Sequence, residues 1–137
     1  MSTRGKSPDP AAGVPSAQNA GAKAAGKTAM PLRILIVEDE PVLAKNMQTY
    51  FRYHSGGASD VRTAADAAQA LKILETFAPD ALVMDYGLPD MDGLRTYAEI
   101  TRRQGKKINC VMITGNPTEQ LAQESRDMGI QHIVSKP

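Results

Sequence analysis

Residues Leu32–Glu40 read LRILIVEDE, and this stretch decides the fold. The run Leu32–Val37 is apolar except for Arg33, without the alternation of polar and apolar residues that marks a half-exposed strand. Such a run is typical of a strand in a parallel sheet that is covered on both faces. Three acidic residues follow directly, at the carboxyl end of the predicted strand.

The chain beyond Glu40 repeats the same unit, a short apolar run followed by a segment with helical periodicity. Apolar and aromatic residues recur at helical spacing after Pro41, a residue suited to a first helical turn. The expected stripe of this first helix consists of Leu43, Met47, Tyr50, Phe51 and His54. Further strands are predicted at Ser59–Thr63, Ala81–Asp85, Ile108–Ile113 and Ile130–Ser135.

Three more helices are predicted between these strands. The second ends before Pro79, the third is capped by Asp92 and stops around Arg103–Gly105, and the fourth opens at Asn116 or Thr118 and closes at Gly129. Their expected inward residues are Ala67, Leu71, Leu74 and Ala78, then Leu94, Tyr97, Ala98 and Thr101, then Leu121, Ser125 and Met128.

Five strands separated by four helices predict an α/β fold. Right-handed crossovers would place the strands in an open, five-stranded parallel sheet with helices on both faces. In sheets of this kind the functional residues gather at the carboxyl ends of the strands.

Length and composition exclude several classes of protein. A chain of 137 residues with 42% hydrophobic and 23% charged content is expected to form one domain. A net charge of +1 favours neither direct nucleic-acid binding nor a polybasic membrane anchor. The single cysteine, Cys110, cannot form an internal disulfide, and neither a membrane span nor a secretory signal is evident. We therefore expect a cytoplasmic location.

The first 31 residues differ in composition from the rest. They consist mainly of Ala, Gly, Ser, Pro and Lys, which offer too little apolar surface to offset the entropy of ordering. We expect residues 1–31 to be a flexible tail, either an inert leader or a tether with weak affinity for polyanions, and residues 32–137 to be the folded domain.

Polar residues end four of the predicted strands, and their chemistry is complementary. Carboxylates brought together at one edge of a sheet repel one another unless a cation compensates, and hard oxygen ligands select Mg²⁺. A lysine and a hydroxyl at the same edge could bind a phosphoryl oxygen. The residues concerned are Glu38, Asp39, Glu40, Asp85, Thr114 and Lys136.

Four segments carry a resemblance to a known family. ILIVEDE, LVMDYGLPDMDG, VMITG and VSKP resemble the signature segments of the response-regulator receiver domain of two-component signalling. The resemblance covers about Leu32 to Pro137. It implies a flavodoxin-like fold with strand order 2-1-3-4-5, and a phosphorylation-dependent switch that relays a conformational change to a partner or output domain. It also implies that the domain is not a conventional enzyme, although it assists its own phosphorylation and dephosphorylation.

The resemblance assigns roles to individual residues. Asp85 matches the phosphoacceptor, and Asp39, Asp85 and the backbone carbonyl of Gly87 match the Mg²⁺ ligands. Glu38 stands where many members of the family have Asp, and it is expected to reach the metal through water. Lys136 matches the lysine that neutralises the phosphoryl oxygens, and Thr114 matches the switch hydroxyl.

Four positions depart from the family pattern or modulate it. Ile133 occupies a usually aromatic position, so Thr114 is expected to act through the backbone and the fourth helix. Gly87 and Asn116 stand at the positions that tune the lifetime of the acyl phosphate, which we expect to be minutes to hours. The chain stops at Pro137, before the final helix of the family, so the domain is expected to be a truncated one.

Simpler interpretations and other functions remain open. Glu38–Glu40 could be a solvated acidic turn, and Asp90 and Asp92 are expected to be turn and N-cap residues rather than ligands. One alternative function is a phosphate-independent interaction module, which Ile133 favours. Another is a phosphohydrolase, although Gly87 stands where the dehalogenase-type phosphatases have a second Asp.

The expected partners follow from the resemblance. They are a sensor histidine kinase or a histidine phosphotransfer protein, together with a downstream effector that the sequence does not identify. A homodimer is left open, and neither nucleic acid nor a membrane is expected to bind this segment.

Overall fold

The structure is a computed structural model and describes residues 32–137, so the expected tail over residues 1–31 lies outside the described residues. Five strands and four helices alternate along the described chain. They are β1 (Arg33–Val37), α1 (Pro41–His54), β2 (Asp60–Ala64), α2 (Ala67–Ile73), β3 (Ala81–Asp85), α3 (Gly93–Gln104), β4 (Asn109–Thr114), α4 (Glu119–Asp127) and β5 (His132–Ser135).

The strands form one parallel sheet in the order β2-β1-β3-β4-β5. This is the order that the resemblance implied. In β1, Ile34 and Ile36 pack with side chains of α1, whereas Leu35 and Val37 pack into the larger cluster formed with α2, α3 and α4. Helices therefore cover both faces, and β1 is buried on both sides as its uninterrupted apolar run predicted.

Side-chain caps fix where three of the helices begin. Asp66 accepts a hydrogen bond from the Gln69 amide at α2, Asp92 accepts one from Arg95 at α3, and Thr118 accepts one from Leu121 at α4. The predicted Asp92 cap is confirmed, and Thr118 rather than Asn116 opens α4. These bonds satisfy amide groups that the first helical turn leaves without partners.

The predicted stripe of α1 is right for Leu43, Met47 and Phe51, which are partly buried, and wrong for Tyr50 and His54, which are exposed. Ala44 is its most buried residue and lies close to the sheet, and Met47 and Phe51 follow it at helical spacing. Tyr50, by contrast, is 59% exposed, and its ring lies tilted against the ring of His54, which is exposed as well. The aromatic residues suggested a wider apolar face than the sheet accepts.

Two other predictions need correction. The second helix ends at Ile73 rather than just before Pro79, so Ala78 lies in an irregular segment and is exposed. In α3 the exposed Ala98 is not an inward residue, whereas Ile100, which the sequence prediction missed, is fully buried. Alanine is small enough to occupy either side of a helix, so its position identifies a buried face poorly.

The face of the sheet that carries α1 is less completely covered near β4 and β5. Within residues 32–137, α1 is the only helix that contributes side chains to the cluster on this face. Val134 remains 49% exposed, and Val83 and Val111 line an open groove of about 550 Å³. No helix in the described part of the chain is both long and apolar enough to span a membrane.

The Cys110 thiol is expected to be unreactive in the folded protein. Its side chain is buried in β4, and burial raises the pKa of the thiol to about 12. Because the thiolate is the reactive form, a thiol reagent at mildly alkaline pH should label the native protein only slowly and the urea-unfolded protein stoichiometrically. Intact mass spectrometry measures this, and equally fast labelling of both states would contradict the buried environment.

Candidate phosphoacceptor site

The sheet register brings the polar strand ends together at one edge. Val37 pairs with Met84, so the residues that follow them, Glu38 and Asp85, lie on neighbouring strands. Lys136 follows β5, and its backbone amide donates to the Thr114 carbonyl at 2.8 Å. The edge therefore collects residues from four strands of the sheet, as the sequence predicted.

Lys136 joins two buried carboxylates. Its Nζ atom lies 3.1 Å from Asp85 Oδ2 and 3.1 Å from Glu38 Oε2. The Glu38 side chain is 0% exposed and that of Asp85 3%. Burial of two carboxylates requires a compensating charge, and one ammonium group provides only part of it.

Glu38, Asp39 and Asp85 form a cluster suited to a metal ion. Each offers one carboxylate oxygen, and the three atoms lie within 4.8 Å of one another. Glu38 Oε1 is buried and has no hydrogen-bond partner among the described residues. Three carboxylates facing one lysine leave negative charge uncompensated, and their hard oxygen atoms are the donors that Mg²⁺ prefers. The residues present therefore fit a divalent cation.

The fourth acid predicted at this edge, Glu40, has a different position. The Glu40 carboxylate does not belong to the cluster, because Glu40 is exposed at the N-cap of α1. Its backbone amide donates to Glu38 Oε2 at 3.0 Å. Glu40 thus helps to orient Glu38 through the main chain.

Charge and burial shift the pKa values of two groups in the site. Burial raises the pKa of the Glu38 carboxyl, and the nearby Asp85 carboxylate adds to the effect, against hydrogen bonds from Glu40 and Lys136. For Lys136 burial disfavours the charged form, but hydrogen bonds to Asp85 and Glu38 outweigh it and raise the pKa. The lysine is therefore held as a cation beside carboxylates that repel each other.

The loop after β3 leaves open space beside Asp85. The Gly87 amide donates to Asp85 Oδ1 at 3.0 Å, and no group within residues 32–137 donates to the Gly87 carbonyl oxygen. A Cβ atom added at Gly87 would lie 3.9 Å from Asp85 Oδ1, at ordinary van der Waals distance. A methyl group would therefore fit beside the buried Asp85 carboxylate on this side, and an unused carbonyl lies close by in the chain.

Thr114 and Asn116 lie beside the cluster rather than within it. The buried Thr114 Oγ1 accepts a hydrogen bond from the Asn116 amide at 3.2 Å, and both residues line a shallow groove of about 340 Å³ that reaches α4. Ile133 is half-buried and packs against the hydrophobic core on the face of the sheet that carries α4. Thr114 and Asn116 therefore line a groove that reaches α4, and Ile133 packs on the face of the sheet that carries this helix.

One residue near the site was not predicted in its actual place. Asp90 accepts hydrogen bonds from the amides of Ala67 and Ala68 at the start of α2, each at 3.0 Å. No side-chain pattern in the sequence signals this contact, because both donors are backbone amides. Asp90 is thus an inter-element cap rather than a simple turn residue.

Comparison with known proteins identifies the family. Fold and site place the chain among α/β proteins whose functional residues lie at the carboxyl edge of a parallel sheet. The chain belongs to the response regulator receiver domain family, which matches residues 34–137. Receiver domains are phosphoacceptor signalling domains of two-component systems and bind Mg²⁺ at an acidic cluster.

Individual relatives agree with this assignment. The transcriptional regulatory protein PdtaR of Mycobacterium tuberculosis is 30% identical over 109 residues, which cover 80% of this chain and 51% of that protein. The regulator of RpoS of Escherichia coli is 35% identical over 107 residues, covering 77% of this chain and 30% of that protein. The chain thus spans about half of the length of the first of these curated relatives and about a third of the second.

A solved structure supports the same fold. The receiver domain protein of Methanospirillum hungatei superimposes with a TM-score of 0.64 at 25% sequence identity. The match covers 78% of this chain and 82% of that one.

Proposed function

We propose that this chain is a phosphorylation switch in which Asp85 accepts a phosphoryl group from a phosphohistidine. The contact that supports this best is Lys136, whose Nζ atom lies 3.1 Å from both Asp85 and the buried Glu38. The donor would be a sensor histidine kinase or a histidine phosphotransfer protein, in the cytoplasm. The conformational change would be passed to an output partner, which is either a separate effector or a domain of the same protein.

The transfer uses the Asp85 carboxylate as the nucleophile. One of its oxygens forms a bond to phosphorus while the bond between phosphorus and the donor imidazole nitrogen breaks, and that nitrogen keeps the electron pair. The product is an acyl phosphate on Asp85. Lys136 stabilises negative charge on the transferring oxygens from a position that the fold has already set.

Asp39, Asp85 and the Gly87 carbonyl would hold Mg²⁺, with Glu38 reaching it through water. The ion would neutralise charge on the phosphoryl oxygens. Glu38 Oε2 is occupied by Lys136 and the Glu40 amide, which leaves Oε1 as the free acceptor for a metal-bound water.

Thr114 is suited to transmit the conformational change that phosphorylation would cause. Its Oγ1 atom accepts from the Asn116 amide, so its own proton stays free to donate to a phosphoryl oxygen. Movement of Thr114 would then displace the segment leading into α4 and the Ile133 side chain packed on that face. Gly87 and Asn116 would set the lifetime of the adduct. Gly87 has no side chain to cover Asp85 on its side, and Asn116 places an amide near Thr114.

The proposal predicts one phosphoryl adduct that depends on Mg²⁺. Incubation with Mg²⁺ and a small phosphodonor such as acetyl phosphate should add the mass of a single phosphoryl group, which peptide mapping places at Asp85. Chelation of Mg²⁺ should slow its formation at least about tenfold, since charge neutralisation by a metal contributes several kcal/mol. Intact mass spectrometry over time follows formation and decay.

Other outcomes would separate the alternatives. No adduct under any condition would contradict the switch and favour a phosphate-independent interaction module. An adduct on another residue would exclude Asp85 as the acceptor. Sustained turnover of phosphate esters would indicate a phosphohydrolase.

A further inference from the structure

Asp90 ties the loop between β3 and α3 to a different helix. Its Oδ1 atom accepts from the Ala67 amide and its Oδ2 atom from the Ala68 amide, each at 3.0 Å. The two bonds span 23 and 22 positions of the chain. One carboxylate therefore fixes the loop against the first turn of α2 with both oxygens, which defines its orientation as well as its distance.

The start of α2 is a firm point of attachment. Ala67 and Ala70 are 1% and 0% exposed, so this helix packs tightly on the sheet. Asp66 caps the Gln69 amide from the helix's own N-cap position. Asp66 therefore caps one amide of the first turn from the helix's own N-cap, and Asp90 caps two others from the loop.

The loop from Gly87 to Asp90 has little freedom between its attachments. At one end the Gly87 amide donates to Asp85 Oδ1 at 3.0 Å. Leu88 is buried in the core, and the ring of Pro89 fixes the backbone φ angle of that residue. At the other end Asp90 is held by α2. Only two residues, Leu88 and Pro89, separate Asp90 from Gly87, so a shift of Asp90 would reach the carbonyl proposed as a metal ligand across a short segment.

We propose that Asp90 is a positioning residue for the metal site: by clamping the loop to α2, it holds the Gly87 carbonyl where it can complete the ligand set of Asp39 and Asp85. This inference rests on the proposed function, in which Gly87 supplies a backbone ligand to Mg²⁺. Asp90 acts through the loop and does not contact the ion. Groups that orient metal ligands commonly contribute tenfold or more to affinity.

The test compares two caps of the same helix. Asp90→Ala and Asp66→Ala each remove one carboxylate from the first turn of α2, and both should lower the thermal melting temperature. Only Asp90→Ala should weaken Mg²⁺ binding, by about tenfold, as measured by calorimetric titration of the metal-free protein. Asp90→Asn keeps one acceptor oxygen and should recover part of the affinity.

A second measurement needs no metal. Hydrogen exchange of the Gly87 amide, followed by nuclear magnetic resonance without Mg²⁺, should be faster in Asp90→Ala and unchanged in Asp66→Ala. Wild-type Mg²⁺ affinity in Asp90→Ala, or equal weakening by Asp66→Ala, would overturn the positioning role while leaving the switch intact. A wild-type protein that binds no Mg²⁺ would overturn both proposals.

Discussion

Replacing Asp85 with asparagine is expected to abolish the phosphoryl adduct. The amide has nearly the same shape but no carboxylate oxygen to attack phosphorus, and within the cluster no other group takes the place of Asp85 between Lys136 and the loop. We expect adduct formation to fall below detection with acetyl phosphate and Mg²⁺. Intact mass spectrometry measures the loss.

The same variant should fold at least as stably as the wild type in the absence of Mg²⁺. Asp85 contributes to raising the pKa of Glu38, which reflects repulsion between the two carboxylates. Removing one negative charge relieves that repulsion, and Lys136 retains its contact with Glu38. Urea denaturation checks the folded state.

A matched control separates the acceptor from any surface carboxylate. Asp80 pairs with Arg33 just before β3, at the opposite end of the strand from Asp85, and its side chain is 40% exposed. Asp80→Asn should therefore keep the adduct at the wild-type rate. An adduct that persists in Asp85→Asn would contradict the assignment of the acceptor.

Gly93→Ala is expected to cause the largest loss of stability from a single added methyl group. Gly93 is the first residue of α3, and a Cβ atom there would lie 2.7 Å from the Asp85 carbonyl oxygen and 2.9 Å from Tyr86 Cα. Both are backbone atoms, so no side-chain rotation removes the overlap. We expect a decrease of about 3 kcal/mol in the free energy of unfolding, measured in urea.

Gly115→Ala is the corresponding control. No atom lies within 4 Å of a Cβ added at Gly115. This substitution should change stability by less than about 0.5 kcal/mol. A Gly93→Ala protein as stable as Gly115→Ala would show that the β3–α3 junction is looser than the structure indicates.

Much of the fold could be predicted because strands buried on both faces leave a simple pattern. The apolar run before Glu38 predicted β1, and the polar residues at the ends of the apolar runs predicted the functional edge. The width of the buried face of α1, which includes Phe51 but not Tyr50, could not be predicted in the same way. It depends on how closely Ala44 approaches the sheet, and that packing is decided by the neighbouring strands.

Part of the candidate site could likewise be predicted from the sequence, and part of it could not. Glu38, Asp39 and Lys136 directly follow strands and Asp85 ends one, so topology alone brings these four residues together. Asp90 was missed because its partners are backbone amides, which every residue has and which no side-chain pattern reveals. That Glu38 and Asp85 share the ammonium group of Lys136 likewise could not be predicted, because it depends on the geometry of the folded edge.

The ion pairs of Lys136 have a consequence for folding. They join residues 98 and 51 positions apart, and Glu38 and Lys136 lie near opposite ends of the described chain. Contacts of such long range form only after most of the intervening chain has ordered. A partly folded domain that lacks β5 would hold Glu38 and Asp85 without their shared cation. The proposed competence to accept a phosphoryl group therefore requires β5, and its appearance during refolding should report the docking of that strand.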